Sequence, residues 1–209
     1  MKTHLQLAGE GLRKEYDRRT VFRDVSFSAS EGETLLITGR NGSGKSTLVK
    51  IICGVLTPAG GTLSLTTGRQ AIPPDRRGLI GLVSPYLQMF DEFSALENLA
   101  IAMGIRGLPF DPAGADALLE RVAIYPRRHD PVRTYSSGMK QRVKYAFALI
   151  HRPPVLVLDE PMSNLDADGA AIVRAVMEEQ RRDGILVVAT NDLSDIDAYE
   201  RRVDLNERR

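Results

Sequence analysis

Residues 34–47 of this chain, TLLITGRNGSGKST, decide its fold. An apolar run over 34–38 leads into a loop with glycines at 39, 42 and 44, and a Lys-Ser-Thr sequence follows. This order is typical of a strand, a phosphate-binding loop (P-loop) and the first turn of a helix. Because the glycines allow a tight turn, successive backbone N–H groups converge on phosphate oxygens at the helix N-terminus. The stretch predicts a site for a nucleoside triphosphate.

Side chains of the same loop supply the charge and hydroxyls that a triphosphate needs. Lys45 is expected to place a positive charge against the outer phosphates, in binding and in catalysis. Ser46 is expected to bind Mg²⁺, which prefers a few hard oxygen ligands together with phosphate and water. The predicted nucleotide-binding residues of this segment are Gly39, Arg40, Asn41, Gly42, Ser43, Gly44, Lys45, Ser46 and Thr47.

The run VLVLDEP at 155–161 is a second, independent motif. Its continuous apolar part is typical of a parallel strand that is buried on both faces. Such a strand presents carboxylates only at its tip. Asp159 is expected to hold Mg²⁺ there, and Glu160 to polarise the water that attacks the terminal phosphate. The alternative is that Asp-Glu-Pro simply begins a helix, which predicts no relation to the P-loop.

The balance of charges limits the classes of partner. The 209 residues carry 28 Lys and Arg against 27 Asp and Glu, a net charge of +1, so nucleic acid is not expected as a partner. The length suits one domain. Cys53, the only cysteine, is expected to be a small core residue in a reducing compartment. The histidines at 4, 129 and 151 are expected on the surface.

Strands alternate with helical patterns along most of the chain. This alternation predicts an α/β fold, a P-loop NTPase core with a mainly parallel sheet and helices on both faces. An antiparallel β subdomain is expected at the N-terminus. The expected strands are 5–7, 12–16 and 21–27 before the P-loop strand, and 62–65, 79–83, 155–159 and 185–189 after it.

A helical lobe is expected to interrupt this single domain. Residues 1–84 and 134–209 would form the nucleotide core, and residues 85–133 the inserted lobe. The pattern changes to helical periodicity within the lobe. The expected helices after the P-loop helix are 95–103 and 113–122 in the lobe, and 136–150 and 170–182 in the core.

The run YSSGMKQR at 135–142 is a small polar turn that opens a helix. With Ser136, Ser137 and Gly138 at its N-terminus, such a helix can contact a triphosphate through N–H groups and a hydroxyl. Taken alone, the same residues can equally form an ordinary helix cap.

Together with the two earlier motifs, this run resembles the ATP-binding cassette (ABC) family over nearly the whole chain. The family signature Leu-Ser-Gly-Gly-Gln matches residues 135–139, with Met139 in place of the glutamine. Its spacing from the carboxylate strand is also that of the family. The resemblance implies that Ser136, Ser137 and Gly138 bind ATP. It further implies that Tyr16 stacks on adenine, and that residues 163–166 form the D-loop.

The resemblance also implies a mechanism. Two such domains pair in opposed orientation, so that each ATP, with its Mg²⁺, lies between the P-loop of one chain and residues 136–138 of the other. Closure around ATP and opening after hydrolysis then move an attached transmembrane subunit between two conformations. The family thus predicts an ATP-hydrolysing transporter subunit that works as a homodimer or beside a similar chain.

The subunit is expected to serve an exporter and to be peripheral, on the cytoplasmic, inner face of the cell membrane. No run of sequence is apolar enough for a signal peptide or a bilayer span. In size the chain is similar to the ATPase subunits of heme exporters for cytochrome c maturation, and lipid, lipoprotein and antibiotic exporters are alternatives. Outside transport, the alternatives are a soluble ABC-type ATPase and a nucleotide switch with little turnover.

Two positions depart from the family pattern. Asn191 stands where the family usually has a histidine that contacts the terminal phosphate. Its amide can donate a hydrogen bond but cannot carry a proton, so we expect a catalytic role together with helix capping. Pro85 stands where the family has a glutamine that touches magnesium. Gln88, three residues later, is then the candidate metal ligand, with simple exposure to solvent as the alternative.

The loop after this junction is unusually apolar. The resemblance implies that a helix of the membrane subunit packs on it. Burial beneath the helical lobe is the alternative. The residues concerned are Tyr86, Leu87, Met89, Phe90 and Phe93.

Overall fold

Five parallel strands form the central sheet of the computed structural model, which describes residues 5–17, 19–68, 70–71, 78–193 and 198–207. The P-loop strand and the carboxylate strand are buried at every residue, as is the strand between them, which explains their continuous apolar sequences. In spatial order the strands are β6 (Ile80–Val83), β7 (Val155–Asp159), β8 (Ile185–Ala189), β3 (Thr34–Thr38) and β9 (Arg201–Asp204).

A second sheet is antiparallel and contains the N-terminal strands, as predicted. Its order is β2 (Arg19–Ser30), β1 (Leu5–Tyr16), β4 (Gly60–Thr67) and β5 (Gln70–Ala71).

The separation of strands 5–7 and 12–16 was the wrong prediction, because β1 is continuous. Its register against β2 shifts between Gly9 and Leu12, and Gly11 has a φ of 55°. A bulge therefore absorbs the polar, glycine-containing stretch that suggested a break.

All the predicted helices are present. Ser136 begins the signature helix as its N-cap, and its side chain accepts a hydrogen bond from the Met139 N–H. The last long helix starts three residues earlier than predicted, because Asp166 caps it by accepting from the Gly169 N–H at 2.8 Å. The helices are α1 (Lys45–Ile52), α2 (Ala95–Ile105), α3 (Pro112–Arg121), α4 (Ser137–Leu149) and α5 (Ala167–Asp183). Within the described ranges, none of them is long and apolar enough to cross a bilayer.

The central sheet separates two hydrophobic cores, because successive side chains of a strand point to opposite faces. Leu36 and Leu158 lie in one core with α4, α5 and the helical lobe. Leu35 and Val157 lie in the other with α1 and the antiparallel sheet. Cys53 is buried in this second core, as predicted.

The expectation of surface histidines is wrong for His151. Both of its ring nitrogens are buried, at the point where the chain leaves α4 and approaches β7. Desolvation, together with the nearby charge of Arg106, lowers the pKa of its imidazole from 6.5 to about 4. His129 is exposed, as expected, and His4 lies outside the described residues.

The lowered pKa of His151 predicts an acid-sensitive contribution to stability. The unfolded chain takes up the proton near pH 6.5 and the folded chain only near pH 4, so the contribution is complete above pH 6.5 and is lost as the pH falls towards 4. After allowing for partial exposure, we expect a loss of about 1–2 kcal/mol. Urea unfolding from pH 7 to 4.5 should show this loss in the natural chain and not in His151→Gln. His129→Gln, at an exposed position, is the control; an unchanged pH dependence in His151→Gln would contradict the prediction.

Candidate nucleotide-binding site

The P-loop joins β3 to α1 through a turn that admits no side chain at two of its glycines. A Cβ on Gly39 would lie 2.4 Å from Ser43 Oγ, and one on Gly44 would lie 2.7 Å from Val21 Cγ1. Gly44 is the N-cap of α1, with a φ of 105° and no side-chain cap hydrogen bond. The first-turn N–H groups of α1 therefore border this loop without a capping side chain, the arrangement that suits an anionic ligand.

The carboxylate strand ends beside this loop because β7 and β3 flank the same strand. Asp159 and Ile37 both pair with Ala189 of β8, so the two strands end at the same edge of the sheet. The Glu160 N–H donates to the Ala189 carbonyl at 2.8 Å, and Glu160 takes a positive φ of 52°. This turn directs the chain away from the sheet immediately after the two carboxylates.

Lys45 is a charged side chain held in a largely buried position. It is only 7% exposed; its Nζ donates to the Gly39 carbonyl at 2.8 Å and lies 3.5 Å from Glu160 Oε1. The ammonium therefore connects the first peptide of the P-loop to the end of the carboxylate strand. Since a buried cation without partners is costly, these two contacts stabilise the ammonium group at its place in the loop.

Asp159 has the environment of a cation ligand. Burial raises the pKa of its carboxyl, whereas a hydrogen bond from Ser46 and the charges of Lys45 and Lys50 act in the opposite direction. Its Oδ1 is buried and has no hydrogen-bond partner in the part of the chain that the structure describes. A hydroxyl and a carboxylate, both hard oxygens, thus meet at the foot of the P-loop, and this donor set fits Mg²⁺.

Asn191 also reaches the P-loop. Its Nδ2 donates to Asn41 Oδ1 at 3.3 Å, so the residue that follows β8 by two positions touches the middle of the loop. Thr190, which precedes it, is buried, and its Oγ1 lies 3.5 Å from Glu160 Oε2. The structure therefore brings Asn41, Lys45, Ser46, Asp159, Glu160 and Asn191 together at one edge of the sheet.

Two predicted residues stand apart from this group. Tyr16 is half-exposed at the end of β1, with Lys14 Nζ 4.9 Å from its ring centroid. Gln88 is exposed in the loop after β6, and no described contact joins it to Ser46 or Asp159. Both assignments remain predictions.

The signature residues do not complete the site within one chain. Ser136 caps α4, and a Cβ on Gly138 would lie 3.3 Å from the carbonyl of Asn164, in the segment expected to form the D-loop. Among the described residues, no contact joins 136–138 to the P-loop. Their predicted contact with ATP would thus require the P-loop of another chain.

Two polar contacts near the site were missed in the sequence. Asn206 Oδ1 accepts a hydrogen bond from the Arg40 N–H at 3.0 Å, and Lys144 Nζ donates to the Ser84 carbonyl at 3.2 Å. Asn206 lies two residues after the end of β9, a strand that the sequence did not predict, and Lys144 lies in α4. Asn206 and Lys144 are single polar residues outside any recognisable motif, so the sequence did not indicate either contact.

Fold and loop together define a P-loop ATPase cassette. The family model described as ABC transporter matches residues 22–163. The chain belongs to the ABC transporter family, as an ATP-binding and ATP-hydrolysing subunit.

Individual relatives and solved structures agree with this assignment. The cytochrome c biogenesis ATP-binding export protein CcmA of Brucella abortus is 35% identical over 188 residues, which cover 90% of this chain and 86% of that protein. The lipoprotein-releasing system ATP-binding protein LolD of Hydrogenovibrio crunogenus is 34% identical, with 97% and 94% covered. A dimeric ABC transporter cassette has the same fold, with a TM-score of 0.85 at 22% identity over 95% of this chain and 93% of that one.

Removal of the Lys45 ammonium tests its role at the phosphates. We expect Lys45→Ala to weaken ATP binding at least about tenfold, because the outer phosphates lose a cation held in a largely buried site. Isothermal titration with a non-hydrolysable ATP analogue measures the affinity. Arg182→Ala, at a position 68% exposed near the end of α5, serves as the control, and an unchanged affinity in Lys45→Ala would count against the role.

Asp159→Asn separates metal binding from folding. Because burial disfavours the carboxylate, we expect the nucleotide-free variant to be as stable as the natural chain or more stable, by up to about 1 kcal/mol. The extra thermal stabilisation that Mg²⁺ adds to ATP should disappear, since an amide is a weaker cation ligand. Thermal unfolding with ATP, with and without Mg²⁺, measures both effects. A persistent Mg²⁺-dependent shift would show that Asp159 does not hold the ion.

Proposed function

We propose that this chain is the nucleotide-binding subunit of an exporter, and that two such chains close around ATP to drive a transmembrane partner. The proposal rests on the separation between two groups of motif residues within one chain. Lys45, Asp159 and Glu160 meet at one edge of the sheet, whereas residues 136–138 have no described contact with them. Two chains in opposed orientation would bring each half-site against the other.

Within a closed site, the residues of this chain would have distinct tasks. The Lys45 ammonium would leave Glu160 for the outer phosphates and neutralise charge there. The Glu160 carboxylate, freed from that ion pair, would orient the attacking water and accept its proton as the water attacks the terminal phosphate. Ser46 and Asp159 would hold Mg²⁺, which supplies charge neutralisation at the phosphates when bound.

Asn191 would complete the contact at the terminal phosphate. Its amide N–H group, which donates to Asn41, can donate equally to a phosphate oxygen. It adds no titratable group to the site, so its contribution would be the same across the physiological pH range.

An aromatic patch on the loop after β6 supports a membrane partner. Tyr86, Phe90 and Phe93 are 70%, 48% and 45% exposed, while Met89 is buried beneath them. Lys50 Nζ lies 5.0 Å from the Tyr86 ring centroid, which links this patch to the P-loop helix. Movement of α1 on ATP binding would thus reach a surface on which an apolar helix can pack.

The names of two relatives favour export as the direction, and the proposal places the subunit at the inner face of the membrane. One is by its name an export protein of cytochrome c biogenesis, and another belongs to a lipoprotein-releasing system. The proposal adopts export from these names and leaves the cargo open, because cargo contacts belong to the membrane subunit.

A nucleotide switch with little turnover is the second candidate. It is favoured by Asn191 at the histidine position and by the exposed Gln88, since both remove groups that the family uses at the phosphate and the metal. A high turnover of the natural chain with its membrane subunit would exclude this candidate.

Glu160→Gln tests the proposed function directly. We expect ATP hydrolysis to fall about a hundredfold or more while ATP binding survives, because the amide cannot accept the proton of the attacking water. Trapped with Mg²⁺ and ATP in its native cells, the tagged variant should copurify with a multi-spanning membrane protein. Glu120→Gln, exposed on α3, is the control.

Each alternative outcome contradicts a different part of the proposal. Turnover unaffected by Glu160→Gln would reject the role of Glu160. Copurification of ribosomes or nucleic acid, without a membrane protein, would reject the transport proposal in favour of a soluble ABC-type ATPase.

A further inference from the structure

One peptide group at the start of the P-loop is held from both sides. The carbonyl of Gly39 accepts the hydrogen bond from Lys45 Nζ at 2.8 Å. The N–H of the same peptide, on Arg40, donates to Asn206 Oδ1 at 3.0 Å. Because the C=O and N–H of a trans peptide point in opposite directions, an acceptor that holds the N–H outside the loop directs the carbonyl towards Lys45.

This peptide needs such an anchor because glycine precedes it. Gly39 has a φ of 150°, a region that favours glycine, and no side chain restricts rotation of the following peptide plane. The Arg40 carbonyl accepts from the Ser43 N–H at 3.0 Å, which fixes the next peptide group of the loop. Asn206 is the group that fixes the orientation of the Gly39–Arg40 peptide itself.

Asn206 is placed by the strand that precedes it. β9 pairs in parallel with β3, Thr38 lying opposite Asp204. Leu205 is fully buried, and a Cβ on Gly39 would lie 3.4 Å from Leu205 Cβ. The Asn206 N–H donates to Asp204 Oδ1 at 2.9 Å. The side chain of Asn206 thus projects from a backbone that is tied to the P-loop strand and anchored in the core.

We propose that Asn206 is a positioning residue for ATP binding: by holding the Gly39–Arg40 peptide, it keeps the Lys45 ammonium in place for the phosphates. This inference rests on the proposed role of the P-loop and Lys45. According to this inference, Asn206 helps to fix the geometry of the P-loop although it lies 166 positions from Arg40 in sequence.

The test is the affinity of the full-length chain for a non-hydrolysable ATP analogue with Mg²⁺, measured by isothermal titration. We expect Asn206→Leu to raise Kd about threefold to tenfold, because the N–H loses its acceptor and the Gly39–Arg40 peptide can turn. Asn206→Asp keeps an acceptor oxygen in the same place and should restore most of the affinity. Glu207→Ala, at the next exposed position, should leave Kd unchanged. Its thermal unfolding without nucleotide shows how far a substitution in this segment alone changes stability, and the Asn206 variants are compared with it.

A double-mutant cycle identifies the hydrogen bond itself. Arg40→Pro removes the N–H donor, so Asn206→Leu should cause no further loss of affinity in that background. Equal affinities for Asn206→Leu and Asn206→Asp, or losses that add in the double variant, would overturn the inference.

Lys45→Ala distinguishes failure of this inference from failure of the proposed role of the P-loop. If it weakens binding and Asn206→Leu does not, only the inference about Asn206 fails; if neither weakens binding, the proposed role of the P-loop fails as well.

Discussion

The site depends on a sheet whose central strands cannot accommodate charge along their length. β3, β7 and β8 are buried at every residue, and the only ionisable residue in them is Asp159, at the very end of β7. Parallel pairing then brings those ends to one edge, where Lys45 and Asp159 are both nearly enclosed. Lys45 has the Gly39 carbonyl and the Glu160 carboxylate as partners, and its charge opposes the rise that burial causes in the pKa of Asp159.

Local patterns in the sequence were enough to predict four of the five strands of the central sheet, the P-loop and the carboxylates at the end of β7. Their residues are adjacent in sequence, and each follows a rule of backbone geometry or burial. The contacts of Asn206 and His151 could not be predicted, because they join segments that are remote in sequence. The continuity of β1 was missed for a different reason: a bulge with Gly11 at positive φ looks like a chain break when the pairing partner is unknown.

The two positions at which the resemblance implies other residues, Pro85 and Asn191, both lie at the border of the site. Pro85 itself offers no side-chain amide to a metal ion. Lys144 of α4 instead donates to the Ser84 carbonyl, and burial lowers the pKa of its ammonium. The junction between sheet and lobe is thus held by a cation from the helix that Ser136 caps. Asn191 similarly replaces a titratable ring with a neutral amide that already touches Asn41.

The core that contains Leu36 and Leu158 continues without interruption into the helical lobe, where it includes Leu99 and Leu119. The sheet and the helices of the lobe therefore share one set of buried side chains. Opening a gap between them would expose these side chains to water, at a free-energy cost that grows with the apolar area exposed. Small sliding displacements that keep the side chains packed avoid that cost.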